Sequence, residues 1–201
     1  MGILRPTIGA AVLALALAAS AAAQQPARWE IAGQFAALDA DSTTLAGGGI
    51  SAWPGFGVSA SARIWRSLSA TASFDFFPQF SYPSNVDGGR MSEGLAGLRW
   101  QFWRWRRLGF YAEARPGFVS FSHVIIGMHP GPCCDFIDGR LTDFALNFGG
   151  GVTYYTSPHT ALRLDLGDTE VDNYDPVTRA YGGPRHWLHR FQLSTGIVLR
   201  F

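Results

Sequence analysis

The last fifteen residues of the chain alternate between apolar and polar side chains. From Trp187 to Phe201 the odd positions are mainly bulky and apolar, whereas the even positions between Arg190 and Arg200 carry Arg, Gln, Ser, Gly, Val and Arg. A period of two residues indicates a β-strand with one apolar and one polar face. The run exceeds the about 5–6 residues usual in soluble strands and suits the roughly 9–11 tilted residues that cross a bilayer. The pattern therefore predicts the closing strand of a membrane-spanning barrel.

Seven earlier segments show the same alternation and predict seven more strands. They cover approximately residues 29–37, 56–64, 68–76, 93–102, 108–115, 143–154 and 161–166. Long segments without periodicity, the longest at 122–140, alternate with short turns, and Pro116 and Gly117 predict a bulge or the exit of the fifth strand from the membrane. This rhythm, with both chain ends beside short turns, predicts an all-β, eight-stranded antiparallel up-and-down transmembrane β-barrel.

The N-terminal residues predict a cleaved secretory signal peptide. Arg5 precedes an apolar run at 8–19, and small residues at 21–23 provide an Ala-x-Ala cleavage site. No later run approaches the roughly 18–20 apolar residues that a spanning helix needs, so membrane insertion is expected through strands. We therefore expect a signal peptide at 1–23 and one outer-membrane barrel domain at 24–201.

The bulk of the aromatic side chains decides which face of each strand is expected to point outward. An eight-stranded barrel has an interior only just wide enough for side chains, and the many rings on the apolar face, such as Trp29, Phe74 and Trp100, would overfill it. The polar face consists of small residues with interleaved charges, which suits a narrow interior. Rings near strand ends predict aromatic girdles at the two membrane interfaces.

Twelve charged residues fall on the polar face and are expected inside the barrel. They are Glu30, Asp75, Glu93, Glu113, Asp143 and Asp165, with Arg63, Arg99, Arg115, Arg163, Arg190 and Arg200. Charges buried at low dielectric need ionic and hydrogen-bonding partners. The balance of six acids and six bases therefore predicts a structural ion-pair network in the lumen, with a gated narrow pore or a proton path as the alternative.

The C-terminal strand carries apolar residues at alternate positions and ends on an aromatic residue. The pattern consists of Phe191, Leu193, Ile197, Leu199 and Phe201, with Thr195 in the same series. It resembles the assembly signal that outer-membrane proteins show to the barrel-assembly machinery. With the eight strands, it makes the chain similar to the small outer-membrane barrels of the OmpA transmembrane domain, OmpX and opacity-protein type. This resemblance implies an integral outer-membrane protein in contact with outer-membrane lipids, with both termini in the periplasm.

Serine, aspartate and histidine residues near the loops raise the possibility of an enzyme. Ser122 and His123 offer a hydroxyl and an imidazole, but the His-x-Ser-Asn arrangement of the lipid A deacylases is absent. Asp/His pairs of a protease type can be drawn from loop residues, although such residues also occur together by chance. The residues concerned are Asp168, Asp172, His186 and His189. We therefore predict that the protein is not an enzyme.

Cys133 and Cys134 are adjacent within the longest expected loop. Exposed thiols seldom stay free in an oxidising compartment, so a disulfide between the neighbours or between molecules is expected. A Zn or Cu site with His129, His123 and Asp135 is the weaker alternative, because the donors suit these metals but the spacing matches no standard pattern. We predict neither a metal ion nor a cofactor.

The composition excludes a nucleic-acid partner. The formal net charge is +1, and the basic-aromatic run at 103–107 is interpreted as part of an aromatic belt beside lipid head groups. The predicted function is that of a membrane structural and surface-binding, adhesin-like protein that acts through four extracellular loops on an external ligand or a host-surface partner. A narrow, porin-like passive channel and a lipid A modifying enzyme are the alternatives.

Overall fold

Eight antiparallel strands form a closed barrel in which the first strand pairs with the last. The computed structural model describes residues 28–40, 51–78, 89–128, 136–173 and 186–201. The strands are β1 (Trp29–Ala40), β2 (Ser51–Trp65), β3 (Leu68–Phe77), β4 (Met91–Trp105), β5 (Leu108–Met128), β6 (Phe136–Tyr155), β7 (Thr160–Asn173) and β8 (His186–Arg200). The predicted all-β, eight-stranded antiparallel fold is therefore confirmed.

Both ends of the described chain lie at the barrel end that carries the short turns. The backbone N–H of Phe201 donates to the carbonyl of Trp29 at 2.9 Å, and the N–H of Arg28 donates to the carbonyl of Phe201 at 2.7 Å. The segments between strands at this end are 66–67, 106–107 and 156–159, and those at the other end are 41–50, 78–90, 129–135 and 174–185. We call the two ends the turn side and the loop side. The predicted alternation of short and long connections is confirmed.

Several strands extend further toward the loop side than the alternation predicted. β5 continues to Met128 and β6 begins at Phe136, so the prediction of the longest loop at 122–140 is wrong. β7 likewise continues to Asn173, within an expected loop, and β2 already begins at Ser51. Alternation marks only the part of a strand whose two faces meet different surroundings, and it is lost where apolar and polar residues occur in runs, as in Val124-Ile125-Ile126.

Pro116 and Gly117 lie within β5 and mark neither a bulge nor the end of the strand. The register between β4 and β5 is the same on both sides of them, since Leu95 faces Gly117 and Leu98 faces Ala114. Proline only removes one N–H donor from the ladder. The expectation of a bulge or an exit at this point is therefore wrong.

The loop-side parts of β5 and β6 form a two-stranded hairpin that extends beyond the other described strands. β4 pairs with β5 only as far as Phe121, and β7 pairs with β6 only from Ala145. β5 and β6 pair with each other as far as Met128 and Phe136, with two register shifts. At about 3.3 Å per residue, the part of β5 beyond Phe121 is about 23 Å long.

Large apolar side chains cover the outside of the barrel as a belt. Those on outward positions are 42–70% exposed and include Trp29, Phe35, Phe56, Phe74, Trp100, Phe102, Phe118, Phe144, Phe148, Leu164, Trp187 and Phe191. An apolar surface of this extent indicates contact with lipid rather than with water. The described residues contain no helix with the length and apolar character of a transmembrane helix.

Candidate functional site

Two arginines share the carboxylate of Glu113 inside the barrel. Its Oε2 accepts hydrogen bonds from Nε and Nη2 of Arg99 at 3.1 and 3.0 Å, and its Oε1 lies 2.9 Å from Nη2 of Arg115. Arg115 also donates to Oδ1 of Asn147 at 2.8 Å, and the guanidinium carbon of Arg99 lies 4.4 Å from the ring centroid of Tyr111. The two guanidinium groups are thus held by a carboxylate, an amide oxygen and an aromatic ring, as buried charges require partners.

Some arginines reach across the lumen to strands that are not their neighbours in the wall. Nη1 of Arg115 on β5 donates to the hydroxyl of Ser73 on β3 at 3.2 Å. Arg163 on β7 donates from Nη2 to the hydroxyl of Ser59 on β2 at 2.8 Å, and from Nε to Oδ2 of Asp165 at 2.8 Å. Because these bonds join separated strands, the side chains fill the interior rather than line an open channel.

Asp75 and Glu93 lie in the lumen beside neutral donors, where the sequence analysis expected arginine partners. Nε2 of Gln34 donates to Oδ1 of Asp75 at 2.7 Å, and the hydroxyl of Thr169 donates to Oε1 of Glu93 at 3.5 Å. Both acids are buried. Among the described residues, neither lies within ion-pair distance of an arginine. An amide and a hydroxyl thus take the place of a salt bridge at this level of the barrel.

The other predicted lumen charges lie nearer to the rims or are less enclosed. Nε of Arg200 donates to Oε1 of Glu30 at 2.9 Å, and this pair lies at the turn side, where the first and last strands meet. Arg190 is buried, whereas Arg63 and Asp143 are partly exposed. The structure therefore brings the predicted charges into several local groups and not into one continuous network.

An apolar cluster that the sequence analysis missed fills the loop-side end of the lumen. Phe77 faces Met91, Met91 faces Phe121 and Phe121 faces Leu141 across β3 to β6. The first three side chains are at most 1% exposed. The whole cluster, which we call the apolar plug, comprises Ala36, Leu38, Phe77, Met91, Leu95, Val119, Phe121, Leu141, Ala145 and Val171. Interiors packed in this way leave few spaces that hold water.

Asp168, Glu170 and His189 form an outward-facing polar cluster near the loop side, with Leu166 and Phe191 toward the turn side and Trp187 as the next outward residue of β8. Nδ1 of His189 lies 2.9 Å from Oδ2 of Asp168 and 3.9 Å from Oε1 of Glu170. The hydrogen bond and the charge of Asp168 raise the pKa of His189, and the charge of Glu170 adds to the rise. One ligand atom from each residue lies within 4.8 Å of the others, so these three could hold a metal ion. The sequence analysis placed Asp168 at the start of a loop, but it lies on β7, and His189 lies on β8 as the alternation predicted.

Of the other residues considered for catalysis or metal binding, most have side chains that lie outside the described part of the structure. The hydroxyl of Ser122 accepts from the backbone N–H of Arg90 at 3.0 Å, and the side chains of His123 and His186 lie outside the described residues. So do the predicted signal peptide at 1–23 and the weak metal candidates His129, Cys133 and Cys134. Signal cleavage, disulfide formation and metal binding at these positions stay predictions.

The residues of the predicted assembly signal lie on the strand that closes the barrel. Phe191, Leu193, Ile197 and Leu199 face outward, and the partly exposed Phe201 follows β8. Their side chains thus form an apolar stripe beside β1 that is interrupted only by Thr195. Recognition of this stripe by the assembly machinery stays a prediction.

Known proteins resemble the chain in sequence family and in fold. The family model described as "Outer membrane protein beta-barrel domain" matches residues 8–183, and no curated protein sequence matches the chain. The crystal structure of Neisserial surface protein A (NspA) has a TM-score of 0.63 at 17% identity, covering 86% of this chain and 97% of that chain. Outer Membrane Protein W of E. coli has a TM-score of 0.52 at 10% identity, covering 89% and 100%.

A third solved structure, Ail, the attachment invasion locus protein of Yersinia pestis, has a TM-score of 0.51 at 15% identity, covering 88% of this chain and 100% of that chain. Identities this low show a common fold and leave the particular role of the chain open. The family match extends over most of the chain. It agrees with the closed barrel and its exposed apolar belt. The chain is therefore an integral outer-membrane protein and belongs to the outer membrane protein beta-barrel domain family.

Proposed function

We propose that the protein is a non-enzymatic, surface-binding outer-membrane barrel that acts through its loop side while its lumen stays closed. The apolar plug carries this proposal. Phe77, Met91 and Phe121 occupy inward positions on three consecutive strands and exclude water from the loop-side end of the lumen. A lumen closed in this way offers no route for polar solutes.

The hydrogen bonds below the plug support the same conclusion. The bond between Arg163 and Ser59 joins β7 to β2, and the bond between Thr169 and Glu93 joins β7 to β4 on the far side of the barrel. These side chains would have to separate before an ion could pass. Breaking buried charged hydrogen bonds is costly, so a passive pore through them would seldom open.

The orientation in the membrane belongs to the proposal. We place the loop side outside the cell and both termini in the periplasm, as in outer-membrane barrels with short periplasmic turns and long outer loops. The β5–β6 hairpin then projects from the cell surface. Beyond Ser122 and before Ala145 its edges pair with no other described strand. Free strand edges can accept an extended segment of a partner protein. The name of Ail, an attachment invasion locus protein, is consistent with such a role.

Attachment of cells that display the protein tests the surface-binding role. Escherichia coli cells carrying the full chain are expected to adhere to epithelial cells or to immobilised matrix proteins more than cells without it. A variant in which a short turn replaces residues 124–139 should lose this adhesion. A variant in which the same short turn replaces residues 41–50 is the control for truncation of a connection at the loop side. Heat-modifiable migration on gels establishes that each barrel is folded, and equal adhesion with and without the protein would contradict the proposal.

A narrow channel is the second candidate because several polar atoms in the lumen lack protein partners. Among the described residues, Oε2 of Glu93, the hydroxyl of Thr71 and Oε1 of Gln192 are buried without a hydrogen bond. Such atoms usually bind water, and a row of waters would favour conduction. Planar-bilayer recordings separate the two candidates. An absence of conductance by the folded protein supports the closed barrel. A steady conductance that rises when Glu113 or Arg99 is neutralised would establish a channel.

A further inference from the structure

A groove of about 570 Å³ opens on the outer face of the barrel at the loop side, across β3 to β6. The strand register arranges its lining in three rows, and the first row is apolar. Phe74 and Phe118 lie on either side of Gly94. The ring of Phe118 lies so close that a Cβ on Gly94 would be 2.7 Å from it. The absence of a side chain at Gly94 therefore gives the groove its depth, and the two rings provide a floor that suits acyl chains.

The second row, one step closer to the loop side, carries hydroxyl groups. Ser92 faces Ser120, and Ser120 faces Thr142. The Thr142 hydroxyl donates to that of Ser120 at 3.0 Å. A hydroxyl can donate and accept, so this row can hydrogen-bond sugar hydroxyls and phosphate oxygens alike. On β3 the same row holds Phe76, which faces Ser92. On β4 to β6 the row marks the outer limit of the apolar belt among the described residues.

The third row carries positive charge. Arg140 faces Ser122, and the backbone N–H of Ser122 donates to the carbonyl of Arg90 at 2.9 Å. Both arginines are exposed, and neither forms an ion pair with a described residue, in contrast to Arg99 and its partner Glu113 in the lumen. Their Cα atoms lie two strand spacings apart, about 10 Å. Two long arginine side chains at this separation can reach one phosphate group.

We propose that this groove binds the phosphorylated head group of an anionic, acylated glycolipid of the outer leaflet, of the lipid A type. The phenylalanine floor would contact acyl chains, the hydroxyl row the sugar and the two arginines a phosphate, which guanidinium groups bind through charge-assisted hydrogen bonds. Arginine on the lipid-facing surface is tolerated near the interface and not at the midplane. The third row therefore belongs at the level of the head groups.

This proposal goes beyond the proposed adhesion and rests only on the orientation given with it, in which the loop side meets the outer leaflet. A binding assay on the purified, folded barrel in detergent micelles is independent of that orientation and of any adhesion partner. Its result therefore stands apart from the adhesion test. The probes are bis-phosphorylated lipid A, the same lipid A after phosphatase treatment, and inorganic phosphate, with binding followed by native mass spectrometry.

The test variant is the double substitution Arg90→Gln and Arg140→Gln, and its matched control is Arg66→Gln with Arg107→Gln. The control removes the same charge from exposed turn-side positions. Loss of two charge-assisted hydrogen bonds is expected to weaken the binding of bis-phosphorylated lipid A by about tenfold to a hundredfold. The control should stay within about twofold of the unchanged protein, since no phosphate bond is lost. Heat-modifiable migration checks that both variants are folded.

The three probes test whether the groove recognises a phosphate group that is attached to a lipid. The unchanged protein should prefer bis-phosphorylated to dephosphorylated lipid A, and inorganic phosphate at the same concentration should not compete. Competition by inorganic phosphate would show that the groove is a general anion site and would overturn the proposal of a lipid site. Equal affinity of the unchanged protein and the Arg90/Arg140 variant, or an equal loss in the control, would overturn the proposal.

Discussion

Arg163 on β7 donates a hydrogen bond of 2.8 Å to the hydroxyl of Ser59 on β2, although β8 and β1 lie between these strands in the barrel wall. The same side chain is paired with Asp165 through its Nε. One arginine therefore ties together distant parts of the wall through the interior. An interior of this kind stabilises the barrel as the core of a soluble protein does, with polar side chains in place of apolar ones.

Replacing Arg163 by leucine is expected to lower the free energy of unfolding by about 3–5 kcal/mol, because Asp165 stays buried without its cation. The measurement is urea-induced unfolding of the barrel in lipid vesicles. The control is Arg200→Leu, which breaks the rim pair with the partly exposed Glu30. Its loss should be smaller because water can solvate Glu30 there. Equal losses in the two variants would contradict the assigned role of Arg163.

Substitution of Glu113 should lower the stability of the barrel strongly, because this one carboxylate neutralises two arginines. Glu113→Gln leaves Arg99 and Arg115 without their shared carboxylate and is expected to cost about 3–5 kcal/mol of unfolding free energy. Adding Arg99→Gln to this variant should restore part of the stability, because it removes one of two like charges. A double-mutant cycle measures this coupling. Purely additive losses would show that the three charges act independently.

Substitutions in the apolar plug should destabilise the barrel through lost packing and not through unpaired charge. Phe121→Ala is expected to cost about 3–5 kcal/mol, because a cavity forms among packed side chains inside the barrel. Phe148→Ala is the matched control, since this ring faces outward and lipid can fill the vacated space. The same vesicle unfolding assay applies to both. A loss at Phe148 as large as that at Phe121 would argue against a packed plug.

The barrel and the side to which each residue of a strand points were predictable, because lipid and lumen impose opposite demands on alternate residues. In Leu164-Asp165-Leu166, for example, the apolar residues face the lipid and the polar residue faces the lumen. The loop-side ends of β5 and β6 were not predictable in this way, because apolar and polar residues do not alternate regularly at 122–128 and 136–142. Alternation loses its physical basis where the strands form the projecting hairpin.

The plug escaped prediction because the third strand was ended too early and the fourth was begun too late. Phe77 has the same inward parity as Asp75, and Met91 has the same parity as Glu93. The predicted third strand ended just before Phe77, and Met91 was assigned to a loop. Continuing the period by one pair would have placed these side chains inside. The choice of partners in the lumen was beyond sequence reasoning. Whether Asp75 meets an arginine or Gln34 depends on the stagger of strands around the barrel, which charge balance does not reveal.

The terminal aromatic residue predicts an effect on assembly rather than on stability alone. Phe201→Ala is expected to lower severalfold the amount of heat-modifiable barrel in the outer membrane, because it shortens the apolar stripe that ends β8. Quantitative blots of membrane fractions measure this amount. The control Phe148→Ala removes a lipid-facing ring outside the stripe and should leave assembly largely intact. Normal levels of the Phe201 variant would remove this residue from the assembly signal.

The contact between His189 and Asp168 should make the stability of the barrel depend on pH. Asp168 accepts its hydrogen bond at 2.9 Å and raises the pKa of His189 above the usual 6.5. A raised pKa means that the contact favours the folded barrel below pH 6.5 and that this contribution disappears as the pH rises through the pKa of the folded state. Titration of the imidazole signals by NMR in micelles should give a midpoint above 6.5. Asp168→Asn should lower that midpoint, and Glu170→Gln should lower it less, because Glu170 contributes only its charge from 3.9 Å. A midpoint unchanged by Asp168→Asn would show that the pair does not form in solution.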